Sequence, residues 1–212
     1  MEIYYEDKHM VICQKPTGVL SQSDGTVESV ETLLTTQLGT RVSAVHRLDA
    51  PVGGCMALAK SKKSAAALGR AVANHQLKKE YLAVVKGPMD GSTGTLQDLL
   101  YHDARANKTF VVKTKRKGVK EAILHYSVLK TAEYAGETWS LLSIVLETGR
   151  THQIRIQFGS RQHPLWGDKR YGGTGESFGL WAHHLELPHP IQKKTVEATS
   201  EPPAEKAPWS FF

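Results

Sequence analysis

The feature that most restricts this chain's fold is a series of short β-rich runs cut by tight punctuation. HMVICQKP, YLAVVKG, TFVVKTK, AILHYSVLK and WSLLSIVLE are rich in β-branched or aromatic residues and end at glycine, proline or clustered charge. KRKG and AEYAGET divide the last three, a pattern of antiparallel hairpins. Two segments carry helical periodicity. In ESVETLLTTQLG, Val30, Leu33, Leu34 and Leu38 fall on one face and Gly39 supplies a stop. In SKKSAAALGRAVANHQ, Ala65, Leu68 and Val72 repeat at helical spacing behind Ser61, a side chain suited to N-capping. Strands and helices do not alternate regularly, which disfavours a doubly wound parallel sheet and predicts an α+β chain.

With 212 residues, 40% of them hydrophobic and 23% charged, the chain can bury one substantial core or two small ones. GPMDGSTGTL, residues 87 to 96, reads as a loop too short to separate domains, so one domain over 1–212 is expected. The Pro-broken end SEPPAEKAPWSFF should run extended over the surface, with Trp209, Phe211 and Phe212 as anchors. No run approaches the roughly 18 apolar residues of a membrane helix, and the first residues lack a secretory pattern. Cys13 and Cys55 fit neither a metal spacing nor a disulfide framework and read as reduced core thiols. A cytoplasmic protein, away from membranes, is the expectation.

The formal net charge is +6, but its distribution says more. From Arg105 to Lys120 the chain carries Lys108, Lys113, Lys115, Arg116 and Lys117 and no acid. Such a cluster suits a polyanion, although a solvated hairpin has the same composition. Phosphate-loop, HExxH and nucleophile-elbow patterns are all missing, so neither a metal nor a cofactor is expected.

Two Arg-rich polar patches remain, VHRLDAPVGG and ETGRTHQIRIQF. Within the second, IRIQF alternates like a strand, yet a helix starting near Thr151 would stack Ile154 on Phe158. The Thr-Gly dipeptide favours the helix and places Arg150 at its N-terminus. A cation there opposes the helix dipole, so either it is matched by an anion, a carboxylate such as Asp49 or an RNA phosphate, or the arginine points to solvent.

The two patches are parts of a longer series. IYYEDKHMVICQKPTGVL, VHRLDAPVGGCMALAKS, KKEYLAVVKG, ETGRTHQIRIQF, HPLWGDKRYGG and LWAHHLELPHP resemble, in order, six blocks of the RluA-type pseudouridine synthases. The resemblance runs almost end to end. It implies the pseudouridine synthase fold: a mixed, largely antiparallel sheet with flanking helices and a central active-site cleft. It also implies isomerisation of selected uridines in rRNA or tRNA. Asp49 matches the family's catalytic aspartate, and Arg150 the arginine that pairs with it. Tyr81 matches the tyrosine that packs on the target uracil, and Arg47 the arginine that fills the gap left by the extruded base. His46 and His152 are supporting residues: His46 could hold its loop, and His152 could orient Arg150 or satisfy a backbone carbonyl.

The chemistry fits a single carboxylate. Breaking N1–C1′, turning the base and rejoining through C5 needs neither redox nor net hydrolysis, and one aspartate can act as nucleophile or base. A glycosidase ordinarily uses two carboxyls, and only Glu147 accompanies the patches. The aspartate must stay ionised in a cleft that excludes water, which an adjacent guanidinium favours. The family usually carries Thr-Ser where this chain has Val52 and Gly53, which puts the rigidity of the Asp49 loop in question. No separate N-terminal RNA-binding module is expected, leaving Lys113, Lys115, Arg116 and Lys117 as the candidate RNA contacts of a monomer. The competing readings are a synthase fold that binds RNA with catalysis weakened and a base-releasing hydrolase.

Overall fold

The computed structural model describes residues 1–23 and 25–212. The elements run β1 (Ile3–Glu6), β2 (Met10–Lys15), α1 (Val30–Leu38), β3 (Ser43–Ala44), β4 (Gly53–Ala59), α2 (Lys62–Ala73), β5 (Lys78–Lys86), β6 (Thr93–Asp103) and β7 (Lys108–Val112). They continue as β8 (Val119–Tyr134), β9 (Glu137–Leu146), α3 (Gln153–Gly159), β10 (Leu180–Pro188) and β11 (Thr195–Thr199). The chain forms two compact units, Met1–Glu80 with Trp181–Pro202 and Tyr81–Leu180 with Pro203–Phe212. Among the described residues, no helix is long and apolar enough to cross a membrane.

In the first unit the strands lie in the order β1-β2-β4-β10, with β3 on β4 and β11 on β10. Every pairing there is antiparallel except β4 with β10, where Gly53 and Gly54 meet Trp181 and Ala182 in parallel register. The sheet is therefore mixed and largely antiparallel, as expected. Strand β4, GGCMALA, is buried along its whole length, and its small side chains let neighbours close on both faces. Met10 and Ile12 of β2, Cys55 and Ala57 of β4, Leu68 of α2 and Leu185 of β10 share one core. Both predicted helices form. Ser61 Oγ accepts from Ser64 N, and Gly39 closes α1 in the left-handed conformation. Cys13 and Cys55 are free and buried, and burial pushes both thiols up to about 12, so they stay protonated.

The second unit orders its strands β5-β9-β8-β6-β7. Ala135 and Gly136 both have positive φ and join β8 to β9 in two residues, a tighter turn than the AEYAGET segment predicts. The loop expected over 87–96 ends early, because β6 already starts at Thr93. Helix α3 is buried from Gln153 to Phe158. Arg155 Nε and Nη2 reach Asp168 at 2.7 and 2.8 Å, and Gln157 Nε2 reaches Asp98 at 2.8 Å, while Gln157 Oε1 has no hydrogen-bond partner among the described residues. The C-terminal turn anchors as expected, with Trp209 buried and Phe211 stacked on Tyr134 at 4.1 Å.

A histidine–aspartate pair closes one end of the first unit. His189 Nδ1 accepts from Ile191 N and Gln192 N, so its proton sits on Nε2, which donates to Asp7 at 2.7 Å. Asp7 also accepts from His9 N and Met10 N. Partial burial would raise the Asp7 pKa, but the hydrogen bonds from His189, His9, Met10 and Tyr5 outweigh it and hold the carboxyl well below the usual range. A depressed carboxylate stabilises the fold above its unfolded value and loses that contribution as pH falls through the folded one. Asp7→Asn should cost about 1–2 kcal/mol at neutral pH and flatten the acid limb of the stability curve. Urea unfolding between pH 3 and 7 checks both, and an acid limb identical to wild type would remove Asp7 from this role.

Candidate active site

Asp49 sits on the loop between β3 and β4, and backbone contacts pin that loop residue by residue. Ser21 Oγ donates to Leu48 O at 2.8 Å and accepts from Leu48 N at 3.0 Å. Gly18 N donates to Ala50 O at 2.8 Å, and Val52 N folds back onto Asp49 O at 3.0 Å. Below the loop lies Lys15, the lysine of the Lys-Pro turn, fully buried. Its ammonium donates to Pro16 O, Ala50 O and Val52 O at 2.9, 2.9 and 2.7 Å. Burial lowers the Lys15 pKa to about 8, and attraction to the Asp49 carboxylate opposes the fall. Leu48 is buried, Asp49 half-buried and Arg47 exposed, so the loop shows solvent its charged residues.

His46 ties the start of the loop to β4. Its Nε2 accepts from Ala57 N at 3.0 Å, leaving the proton on a buried Nδ1 that has no hydrogen-bond partner among the described residues. Burial, then the charge of Lys79, lowers its pKa to about 3, so the ring is neutral at working pH.

The unusual pair Val52-Gly53 has a local explanation. A Cβ on Gly53 would lie 2.2 Å from the Trp181 indole, and one on Gly54, at φ +113, 2.2 Å from Ala182 O. Val52 is buried and its carbonyl is taken by Lys15. The indole fills the space a side chain at 53 would occupy, and Lys15 supplies the rigidity that the absent hydroxyls put in question.

In the second unit, Tyr81 is 6% exposed on β5, so most of its ring is interior. Arg150 stands before α3, which forms as expected near Thr151, with His152 at the N-cap and Gln153 the first helical residue. His152, at φ 55, takes the N-cap position. Arg150 thus lies outside the helix, where the dipole argument for an anion loses its force. Gln153 builds the turn instead: its Oε1 accepts from Arg150 N at 3.0 Å and Thr148 Oγ1 at 2.8 Å, while its Nε2 donates to Ile123 O. Arg150 Nε donates to Glu121 O at 2.9 Å, which aims the guanidinium.

His152 has a side-chain partner where the sequence offered Arg150 or a carbonyl. Its Nδ1 is 2.8 Å from Tyr171 Oη, which accepts from Thr109 N at 2.8 Å. Thr109 Oγ1 donates to Thr151 O at 2.8 Å, so strand β7 is tied to the Arg150 turn through two contacts. Lys113, Lys115, Arg116 and Lys117 are all exposed just beyond β7. Arg116 lies over the Tyr101 ring at 5.2 Å, and Lys108 over those of Phe110 and Tyr171 at 5.7 Å each. Lys15, Ser21, Gln153 and Tyr171 are absent from the sequence-based site. Only the Lys-Pro turn gave a signal, and it did not reveal which atoms the lysine holds. One group of metal-ligand type occurs among the described residues: His184, Glu186 and Glu197 on β10 and β11, where Lys78 already pairs with Glu186 at 2.9 Å.

The mixed sheet with its flanking helices is the fold of pseudouridylate synthases. Human RNA Pseudouridylate Synthase Domain Containing 1 superposes with a TM-score of 0.82 at 24% identity, covering 95% of this chain and 83% of that one. Human RNA Pseudouridylate Synthase Domain Containing 4 gives 0.76 at 20% identity, covering 95% and 88%. The sequence then narrows fold to family: the family model for RNA pseudouridylate synthase matches residues 9–160, and the chain belongs to that family. It is 32% identical to an uncharacterised RNA pseudouridine synthase, YhcT, of Bacillus subtilis (strain 168), over 97% of this chain and 70% of the relative. It is also 32% identical to tRNA pseudouridine synthase C of Yersinia pestis, over 94% and 86%. As an RNA pseudouridine synthase, it is an isomerase.

The Gly53–Trp181 contact predicts a non-additive pair. Gly53→Ser should destabilise by about 1–3 kcal/mol through overpacking. In a Trp181→Ala background the same change should cost at least about 1 kcal/mol less. A double-mutant cycle by urea unfolding measures this, and simple additivity would mean the indole does not dictate the glycine.

Proposed function

We propose that the protein converts specific uridines of structured RNA, rRNA or tRNA, to pseudouridine with Asp49 as its single catalytic carboxylate. The observation that carries this reading is the pinning of the Asp49 loop. Six hydrogen bonds to the backbone of Leu48, Ala50 and Val52, or from Asp49's own turn, hold a half-buried carboxylate in place. A loop with no chemical task has no need of a buried ammonium beneath it, since burying that charge is itself costly. A preorganised group can stabilise a transition state without reorganising during the reaction.

The other roles follow the family pattern. Arg150 is the cationic counterpart of the carboxylate, Tyr81 offers the target uracil an aromatic face, and Arg47, exposed beside Asp49, fills the vacancy in the RNA stack. Extruding a stacked base costs a few kcal/mol, which contacts from Lys113, Lys115, Arg116 and Lys117 help offset. Residues 1–212 form one catalytic domain that works as a cytoplasmic monomer without cofactor or metal. The departure at Val52 and Gly53 favours one second reading, a synthase fold that binds RNA with weakened catalysis.

Incubating the protein with bulk tRNA and rRNA transcripts and mapping pseudouridine separates the readings. The wild type should give product and Asp49→Asn none. Free uracil would point to hydrolysis, and bound but unmodified RNA to the binding protein. Arg150→Ala should lower the single-turnover rate by about 100-fold or more at saturating RNA. A near-normal rate would remove Arg150 from the chemistry.

A further inference from the structure

We propose that the second unit carries a phosphate subsite adjoining the Arg150 turn, a pocket of about 270 Å3 at the edge of β6, β7 and β8 that takes one phosphodiester of the substrate strand. The inference rests on the RNA-isomerase reading and names a contact which that reading does not contain. Leu100 is the buried floor, and His102, Thr109, Lys120, Arg150 and Thr151 are the polar lining. Sheet register brings them together from distant parts of the sequence: Leu100 faces Lys120 across β6 and β8, and His102 faces Thr109 across β6 and β7.

Charge selects the ligand class. Lys120 and Arg150 contribute full cations, and no carboxylate lines the pocket among the described residues. The neighbouring acids are turned to other tasks. Asp103 Oδ1 accepts from Arg105 N and Ala106 N, and Glu121 Oε1 accepts from Gln97. An anion is what this lining complements, and the exposed cations at 113 to 117 continue the positive surface along the same hairpin.

Valence then orients the histidine. The Thr109 hydroxyl proton is given to Thr151 O, so its oxygen can only accept at the 3.1 Å contact with His102 Nδ1. His102 must donate from Nδ1, which fixes the imidazole plane and leaves Nε2 of the neutral ring as an acceptor, matched to the ribose 2′-hydroxyl beside the phosphate rather than to the phosphate itself. Arg150 is oriented in the same way by the bond from its Nε to Glu121 O. The site is thus set before any ligand arrives, which lowers the ordering cost of binding.

Size limits the occupant. Pockets for small molecules run about 300–1,000 Å3, so this one suits a phosphate with part of its sugar and is too small for a folded element. Its rim is the Arg150 turn, joined to β7 by Thr109 and Tyr171. A phosphate in the pocket therefore sits on the strand that leads into the exposed cations at 113 to 117 and against the turn that bears Arg150.

The test follows the His102 ring by 1H–13C NMR in the full chain, with its signals assigned by loss in His102→Gln. The protein is titrated with the trinucleotide UpUpU and with its uncharged methylphosphonate analogue. His102 signals should move with UpUpU and stay in place with the analogue. Lys120 is exposed, so Lys120→Ala is expected to fold, and it should weaken the response to UpUpU. The same variant should reduce the salt slope of RNA binding by about 0.7, the value for one lost single-strand phosphate contact. Equal shifts with both probes, no shift with either, or an unchanged salt slope would each overturn the subsite. A wild type that moves His102 but makes no pseudouridine in bulk RNA would instead sink the isomerase reading.

Discussion

The ammonium of Lys15 is the interaction on which the candidate site depends. Three backbone carbonyls converge on it from two segments, its own turn at Pro16 and the Asp49 loop at Ala50 and Val52. No backbone group could do this, because carbonyls repel one another and need a multiple donor between them. A buried ammonium has three protons and no competing acceptor. Removing such a charge from water is costly, so the lysine is poorly explained as a stabilising device. What it provides is one geometry for the loop, with the Asp49 carboxylate near enough to attract it.

In the second unit the equivalent task falls to neutral groups. Gln153 gathers the 148–150 turn with one side-chain amide, and Tyr171 joins β7 to His152 with one hydroxyl. Deeper in the helix, Arg155 is held by Asp168 and lies about 5 Å from the Tyr171 and Phe178 rings. The polar side chains of α3 that look available for chemistry are largely absorbed in keeping the helix buried. Arg150, outside the helix and half-buried, is held by the bond from its Nε to Glu121 O.

Much of the fold is legible in the sequence because the signals are local. Ser61 caps α2 and Gly39 ends α1 through contacts within a few residues of themselves, and the hairpin runs alternate as strands do. β4 is harder to see, since GGCMALA owes its strand to burial on both sides and has almost no β propensity of its own. Helix α3 has its first helical residue two past Thr151, because His152 adopts a left-handed conformation, which histidine visits more than most side chains but which the sequence does not announce at this position. The residues of the Asp49 loop are legible by their resemblance to a family. The residues that hold the loop are not, because Ser21 and Lys15 act at separations of 27 and 37 residues. Tyr171 sits in a glycine-rich stretch that reads as loop, and its partner Thr109 is 62 residues away.

The way β7 is fastened bears on how such a protein could diversify. Tyr171 grips Thr109 through a backbone N–H, and Thr109 replies through one hydroxyl. The exposed cations from Lys113 to Lys117 take no part in that attachment. Their number and spacing are free to drift while the Arg150 turn keeps its shape. A lineage could then rewrite the charge of this hairpin with a few surface codons and leave the fold of the Arg150 turn intact.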